Sequence, residues 1–144
     1  MTMEPKELIA RAIAAMDRAY VPYSGYRVGA ALLCADGKVY EGCNIENGSY
    51  GATNCAERTA FFRAVFDGER EFTAIAVCGG KDGIIRDYFP PCGVCRQVMR
   101  EFCDPEEFRI ILGAGTGEKQ VYLLKELLPL SFGPENLNGK EKHS

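Results

Sequence analysis

Asn54-Cys55-Ala56-Glu57-Arg58 is answered further on by Pro90-Pro91-Cys92-Gly93-Val94-Cys95. These three cysteines and one glutamate read as parts of one site, so the fold must bring two helix starts together. The Pro-Pro pair favours a helix start at Pro91, and the three-residue spacing then sets the Cys92 and Cys95 sulfurs on one face of its first turn. Asn54 is a good N-cap for another helix, with Cys55 at its start. The positive ends of two helix dipoles would then face one point, lowering thiol pKa there and favouring thiolate, the metal-binding form.

Counting ligands decides the kind of metal site. Structural zinc is normally closed by four protein ligands, whereas catalytic zinc keeps three and an open position. Only Cys55, Cys92 and Cys95 are evident, and the sole histidine, His143, stands one residue from the end of a polar tail. The reading is therefore one Zn²⁺ with an open position that Glu57 approaches. Three thiolates leave an excess of negative charge, which Arg58 and the helix ends can offset.

A chain of 144 residues, 47% hydrophobic, suits one domain over residues 1–137 with a sizeable core, followed by a mobile polar tail over 138–144. A net charge of −3 and a pI near 5.3 argue against a polyanion as partner and favour small molecules. No membrane-length apolar run occurs, and no charged stretch leads into an apolar N-terminal segment, so no membrane association and a cytoplasmic location are expected. Seven cysteines, an odd number, favour thiols and metal ligands over a disulfide framework.

Taken in order, Leu8, Ile9, Ala12, Ile13 and Met16 mark an amphipathic helix from Pro5 to Ala19. Tyr26 to Cys34 reads as a buried strand whose small residues allow something to approach closely, and Val39 to Asn44 returns as its hairpin partner after Asp36-Gly37. A Gly- and Asn-rich loop, 47–53, leads to the first cysteine helix, which ends near Asp67-Gly68. Phe72 to Cys78 is a strand, 79–91 a loop, Cys92 to Phe102 the second cysteine helix, and Phe108 to Gly113 a strand running parallel to the previous one. Gln120 to Leu124 is the last strand, and Lys125 to Leu128 begins a short helix. The expected architecture is a three-layer α/β fold, a mixed five-stranded sheet flanked by helices.

Each of these residues also has a plainer reading. Buried cysteines behave as small hydrophobes, which is how Cys34, Cys43, Cys78 and Cys103 are read. Cys92-x-x-Cys95 could be a redox pair, and a metal that merely staples two helices needs a fourth ligand. Glu57, three residues after Asn54, could complete a capping box. Arg58 could be a solvated helix residue. The apolar segment Leu127-Leu128-Pro129-Leu130-Ser131-Phe132-Gly133 either folds back on its own sheet or covers another surface.

Cys55-Ala56-Glu57 followed by Pro91-Cys92-Gly93-Val94-Cys95 is similar to the zinc deaminase signature in its all-cysteine form. Tyr23 to Ala31 and Gly42-Cys43-Asn44-Ile45-Glu46-Asn47 extend the likeness, and together they resemble the small cytidine deaminases that act on free nucleosides. The resemblance implies hydrolytic deamination of cytidine and deoxycytidine: a zinc-activated water attacks C4 of the pyrimidine while Glu57 carries the protons. It also implies that Asn44 and Glu46 hold the ribose and that Tyr26, where the family often has Phe, stacks beside base and sugar. Ala56 N–H becomes a donor to the pyrimidine carbonyl. A homotetramer is implied too, with Tyr50 at a subunit contact and Phe132 reaching into a neighbouring pocket. A deaminase of a nucleoside antibiotic or of a base in nucleic acid, and a non-catalytic zinc module, are the alternative readings.

Overall fold

The computed structural model describes residues 3–138. His143 and residues 139–144 of the expected tail lie outside the described residues. Helix α1, Pro5–Met16, starts with proline at its first turn and a capping box in which Glu4 N–H donates to Glu7 Oε1 at 3.1 Å. It stops at Met16, not Ala19: Asp17, Arg18 and Ala19 N–H bond carbonyls three residues back, Tyr20 N–H turns to Asn44 O, and Arg27 from the neighbouring strand donates to the carbonyls of Met16, Asp17 and Ala19. A cation there also faces the negative end of the helix dipole. The buried stripe is Leu8, Ile9, Ala12, Ala15 and Met16, so Ile13, expected in it, sits at its edge, 37% exposed.

Strand β1, Tyr26–Cys34, pairs antiparallel with β2, Val39–Cys43, and with β3, Phe72–Lys81. β4, Arg109–Gly113, runs parallel to β3, and β5, Lys119–Leu123, closes the sheet antiparallel to β4. The order β2-β1-β3-β4-β5 is the mixed five-stranded sheet expected. Both faces of β1 are buried, which is why it reads as a continuous apolar run and not as an alternating one. Ala31 and Leu33 point to α1. Val28, Ala30 and Leu32 point to the opposite layer of α2, Ala56–Phe66, α3, Gly93–Phe102, and α4, Leu124–Leu127.

Two glycines set how closely helices lie on this sheet. A Cβ at Gly29 would stand 2.0 Å from Ala12 O of α1, and one at Gly42 would stand 2.4 Å from Ala56 O and 2.5 Å from Ala60 N of α2. Each helix backbone thus rests directly on a strand, the close approach that small strand residues permit.

The apolar segment after α4 divides in two. Leu127 and Leu128 pack against the core, while Leu130 and Phe132 are exposed, Leu130 completely and at a positive φ of 49°. Side chains of α3 hold its backbone: Arg96 donates to Leu127 O at 2.7 Å and Gln97 to Phe132 O at 2.9 Å. Arg100, 4% exposed, bonds Ser131 Oγ at 2.7 Å and pairs with Glu135 of a short final helix, α5, Pro134–Asn138, which sequence reading passes over.

Candidate active site

α2 begins one residue later, and α3 two residues later, than their cap chemistry suggests. Asn54 remains extended because it exchanges both backbone hydrogen bonds with Ile45, each at 2.9 Å, while its side chain donates to Thr59 Oγ1 at 3.1 Å. Cys55 therefore occupies the N-cap of α2, and Cys92 the N-cap of α3. Glu57 is then the second residue of its helix, not the third. The capping-box reading of Glu57 does not apply, and its carboxyl turns inward, 4% exposed.

The Sγ atoms of Cys55, Cys92 and Cys95 all lie within 4.8 Å of one another, and Cys55 and Cys92 are 3.8 Å apart. Zn–S bonds of ~2.3 Å in tetrahedral array separate sulfurs by ~3.8 Å, so this spacing fits zinc. Hydrogen bonds from Cys95 and Arg58 draw the Cys55 thiol down to about 5, while the bond to Cys55, and then burial, push the Cys95 thiol up. Arg58 Nη2 donates to Cys55 Sγ at 3.2 Å. Arg58 has turned toward the thiols, and its buried Nε lacks a hydrogen-bond partner. No fourth protein ligand joins the trio among the described residues, which matches an open coordination position.

Burial pushes the Glu57 carboxyl up to about 7. Such a group can hold or release a proton near neutrality. It lines a cavity of about 170 Å³ together with Cys55, Ala56 and Cys92. Tyr26 and Asn44 form another wall of the same cavity. Asn44 stitches β1 as well: its Oδ1 accepts from Val28 N at 2.9 Å and its Nδ2 donates to Tyr26 O at 2.8 Å. One amide hydrogen remains for another acceptor.

Glu46 and Tyr50 line an adjoining hollow of about 360 Å³ with Tyr23 and Ser24. Glu46 Oε1 accepts from the backbone N–H groups of Tyr23 and Ser24 at 3.0 and 3.1 Å, and its Oε2 accepts from the Ser24 hydroxyl. That hydroxyl first, then the two amides, hold its carboxyl below the usual range. Tyr50 opens a single 3-10 turn, Tyr50–Ala52, and is 79% exposed. Phe132 lies apart, beside α3, and lines neither hollow.

Sequence reading missed Phe89 and Pro90, which complete the cavity wall, and the Phe89 ring stands 6.3 Å from that of Tyr26. Their signal is the aromatic residue directly before the Pro-Pro-Cys motif. A second grouping, Cys34 with Asp36 and Glu69, lacks the chemistry of the first. Burial pushes the Cys34 thiol up to about 12, and Lys38 stands 3.8 Å from Glu69. Cys78 and Cys103 are buried, and Cys43 is partly so, as expected.

A family model described as the cytidine and deoxycytidylate deaminase zinc-binding region matches residues 3–110. A cytidine deaminase of Halalkalibacterium halodurans is 50% identical over 136 residues, covering 94% of this chain and 99% of that protein. One of Sporosarcina psychrophila is 48% identical, covering 94% and 96%. The crystal structure of a cytidine deaminase from Burkholderia pseudomallei superposes with a TM-score of 0.83 at 48% identity, covering 90% of this chain and all of that one. With three thiols spaced for zinc and a buried carboxyl beside them, the chain belongs to the cytidine and deoxycytidylate deaminase family of zinc-binding proteins.

Proposed function

We propose that this chain catalyses hydrolytic deamination of cytidine and deoxycytidine: water adds at C4, the C4–amine bond breaks, and uridine or deoxyuridine and ammonia leave. The observation that carries this reading is Glu57, whose carboxyl is shielded from solvent in the same cavity as Cys55 and Cys92. Zinc, held by Cys55, Cys92 and Cys95, supplies the Lewis acidity that activates water at neutral pH. Glu57 takes a proton from the water, gives one to the ring N3, and then delivers one to the departing amine. Ala56 N–H, at the first position of α2, donates to the pyrimidine carbonyl, and Arg58 offsets the thiolate charge. Tyr26 stacks beside the base and Asn44 uses its remaining amide hydrogen on the ribose. Glu46 exchanges the Ser24 hydroxyl for a ribose hydroxyl.

Residues 1–137 work as one domain in this reading, and four copies assemble so that Phe132 and Tyr50 of one serve the cavity of another. Exposed Leu130 and Phe132, on a backbone pinned by Arg96, Gln97 and Arg100, support that assembly. Reclaiming pyrimidines in the cytoplasm is the proposed setting. Seven unpaired cysteines suit a reducing compartment, and no helix among the described residues is long and apolar enough to cross a membrane.

An absorbance assay with cytidine, deoxycytidine, cytosine and adenosine, run beside zinc analysis, tests the reaction. Turnover of both cytidine nucleosides, lost on chelation and regained with zinc, is expected. Full zinc occupancy with no turnover of either would leave a non-catalytic zinc module. Mixing Glu57→Gln with Phe132→Ala chains after dissociation tests the shared site. Activity should return in hybrids, because some sites regain both residues, and hybrids without activity would end the proposal.

A further inference from the structure

Lys81, the last residue of β3, is the antiparallel partner of Tyr26, the first of β1. Its ammonium donates to Ser24 O at 2.6 Å and stands 5.3 Å from the centre of the Tyr26 ring. The turn it reaches is tight: Gly25 lies at a φ of 74°, and Gly25 O accepts from Asp82 N at 2.7 Å. Opposite Lys81, the Glu46 carboxylate holds Tyr23 N–H, Ser24 N–H and the Ser24 hydroxyl, and that hydroxyl in turn accepts from Tyr26 N–H at 3.0 Å. An anion and a cation thus grip one turn from two sides. The side chain that this turn delivers to the cavity is Tyr26, 46% exposed and with its ring also beside that of Phe89.

Resting on the nucleoside reading above, we infer that Lys81 is a positioning residue: it holds the Tyr26 ring against the cavity, and so governs nucleoside affinity without touching the reacting atoms. Three features separate this role from ordinary surface charge. The ammonium has an acceptor at short range, so its place is defined. A cation over an aromatic face is attracted to the ring and restrains its tilt. The ammonium also lies near Glu46, adding to the attraction that keeps that carboxylate ionised under the turn. Without the cation, the Ser24 carbonyl loses its donor and the Tyr26 ring is left leaning on Phe89. The ring then samples positions that do not meet a base, which raises KM and leaves the chemistry at Glu57 as it was.

Lys81→Met keeps the aliphatic stem and removes the charge, whereas Lys81→Arg keeps a donor and a cation suited to lying on an aromatic face. Cytidine kinetics, calorimetric binding of uridine, zinc content and Tm are to be measured for both variants and the parent chain. Lys81→Met should raise KM for cytidine and Kd for uridine about five- to tenfold, with kcat within about twofold of the parent and zinc and Tm unchanged. Lys81→Arg should recover most of that loss. Introducing Lys81→Met into a Tyr26→Leu chain should cost less than in the parent, because the ring it restrains is gone. Parental KM and Kd in Lys81→Met, no rescue by arginine, or kcat and Tm falling together would each overturn the inference. A parent chain that neither turns over cytidine nor binds uridine would instead overturn the nucleoside reading, and this inference with it.

Discussion

Gly42→Ala tests how the sheet holds the metal helix in place. The new Cβ would sit 2.4 Å from Ala56 O, 2.5 Å from Ala60 N and 3.1 Å from Ala60 Cα. All three are backbone atoms of α2, so no flexible side chain can swing aside. Ordinary contact requires ~3.5 Å, and the first turn of α2 must therefore retreat by about 1 Å or the strand must buckle. Overpacking of this kind costs about 1–3 kcal/mol, which for a domain of this size lowers Tm by roughly 3–10 °C. The same turn begins at Cys55 and carries Glu57, whereas metal–ligand distances tolerate only about ±0.2 Å. A shift of that size should weaken zinc binding by about ten- to a hundredfold, the range seen when a ligand's support is lost. Competition with a chromophoric chelator measures the affinity, and thermal melts with and without zinc measure the stability. Parental zinc affinity and Tm in Gly42→Ala would refute the close-packing account of the site.

Glu57→Gln should lower kcat by on the order of 10² or more with zinc content and Tm unchanged, since Glu57 caps no helix; metal analysis beside the activity assay checks both. Arg100→Met removes a buried partner of Glu135 and the donor to Ser131 Oγ, and should cost about 1–3 kcal/mol in denaturant unfolding. It should also loosen the segment bearing Phe132, so sedimentation should report weaker self-association; unchanged unfolding would show that α3 does not hold this segment. Glu46 has a lowered carboxyl pKa, so the stability it contributes is present above the ordinary glutamate range and lost as pH falls through the lowered value. Glu46→Gln should therefore melt below the parent at pH 7, and the gap should close on acidification; a gap that does not change with pH would contradict the charged grip on Tyr23 and Ser24.

Much of this molecule is written in short-range pattern. The unbroken apolar run Tyr26–Cys34 announces a strand buried on both faces, and the spacing of Leu8, Ala12 and Met16 announces a helix with one wet side. The ligand trio was legible for a similar reason: thiols three residues apart at a helix start can face one point, and a distant cysteine at another helix start can meet them. What sequence could not decide were matters of one residue or one long-range partner. Asn54 is the better cap by its chemistry, yet a two-way bridge to Ile45 keeps it extended, so Cys55 becomes the cap and Glu57 swings into the cavity. α1 ends three residues early, where the Tyr20 N–H that would continue it bonds Asn44 O of another segment and Arg27 takes its last carbonyls. Phe89 joins the cavity, and Glu46 grips the turn at Tyr23 and Ser24, only after the sheet has brought those segments side by side. Local propensity and periodicity are properties of neighbouring residues and survive in the sequence. Which polar group satisfies which, and which ring meets which wall, depend on contacts between residues remote in the chain, and those exist only once the sheet has formed.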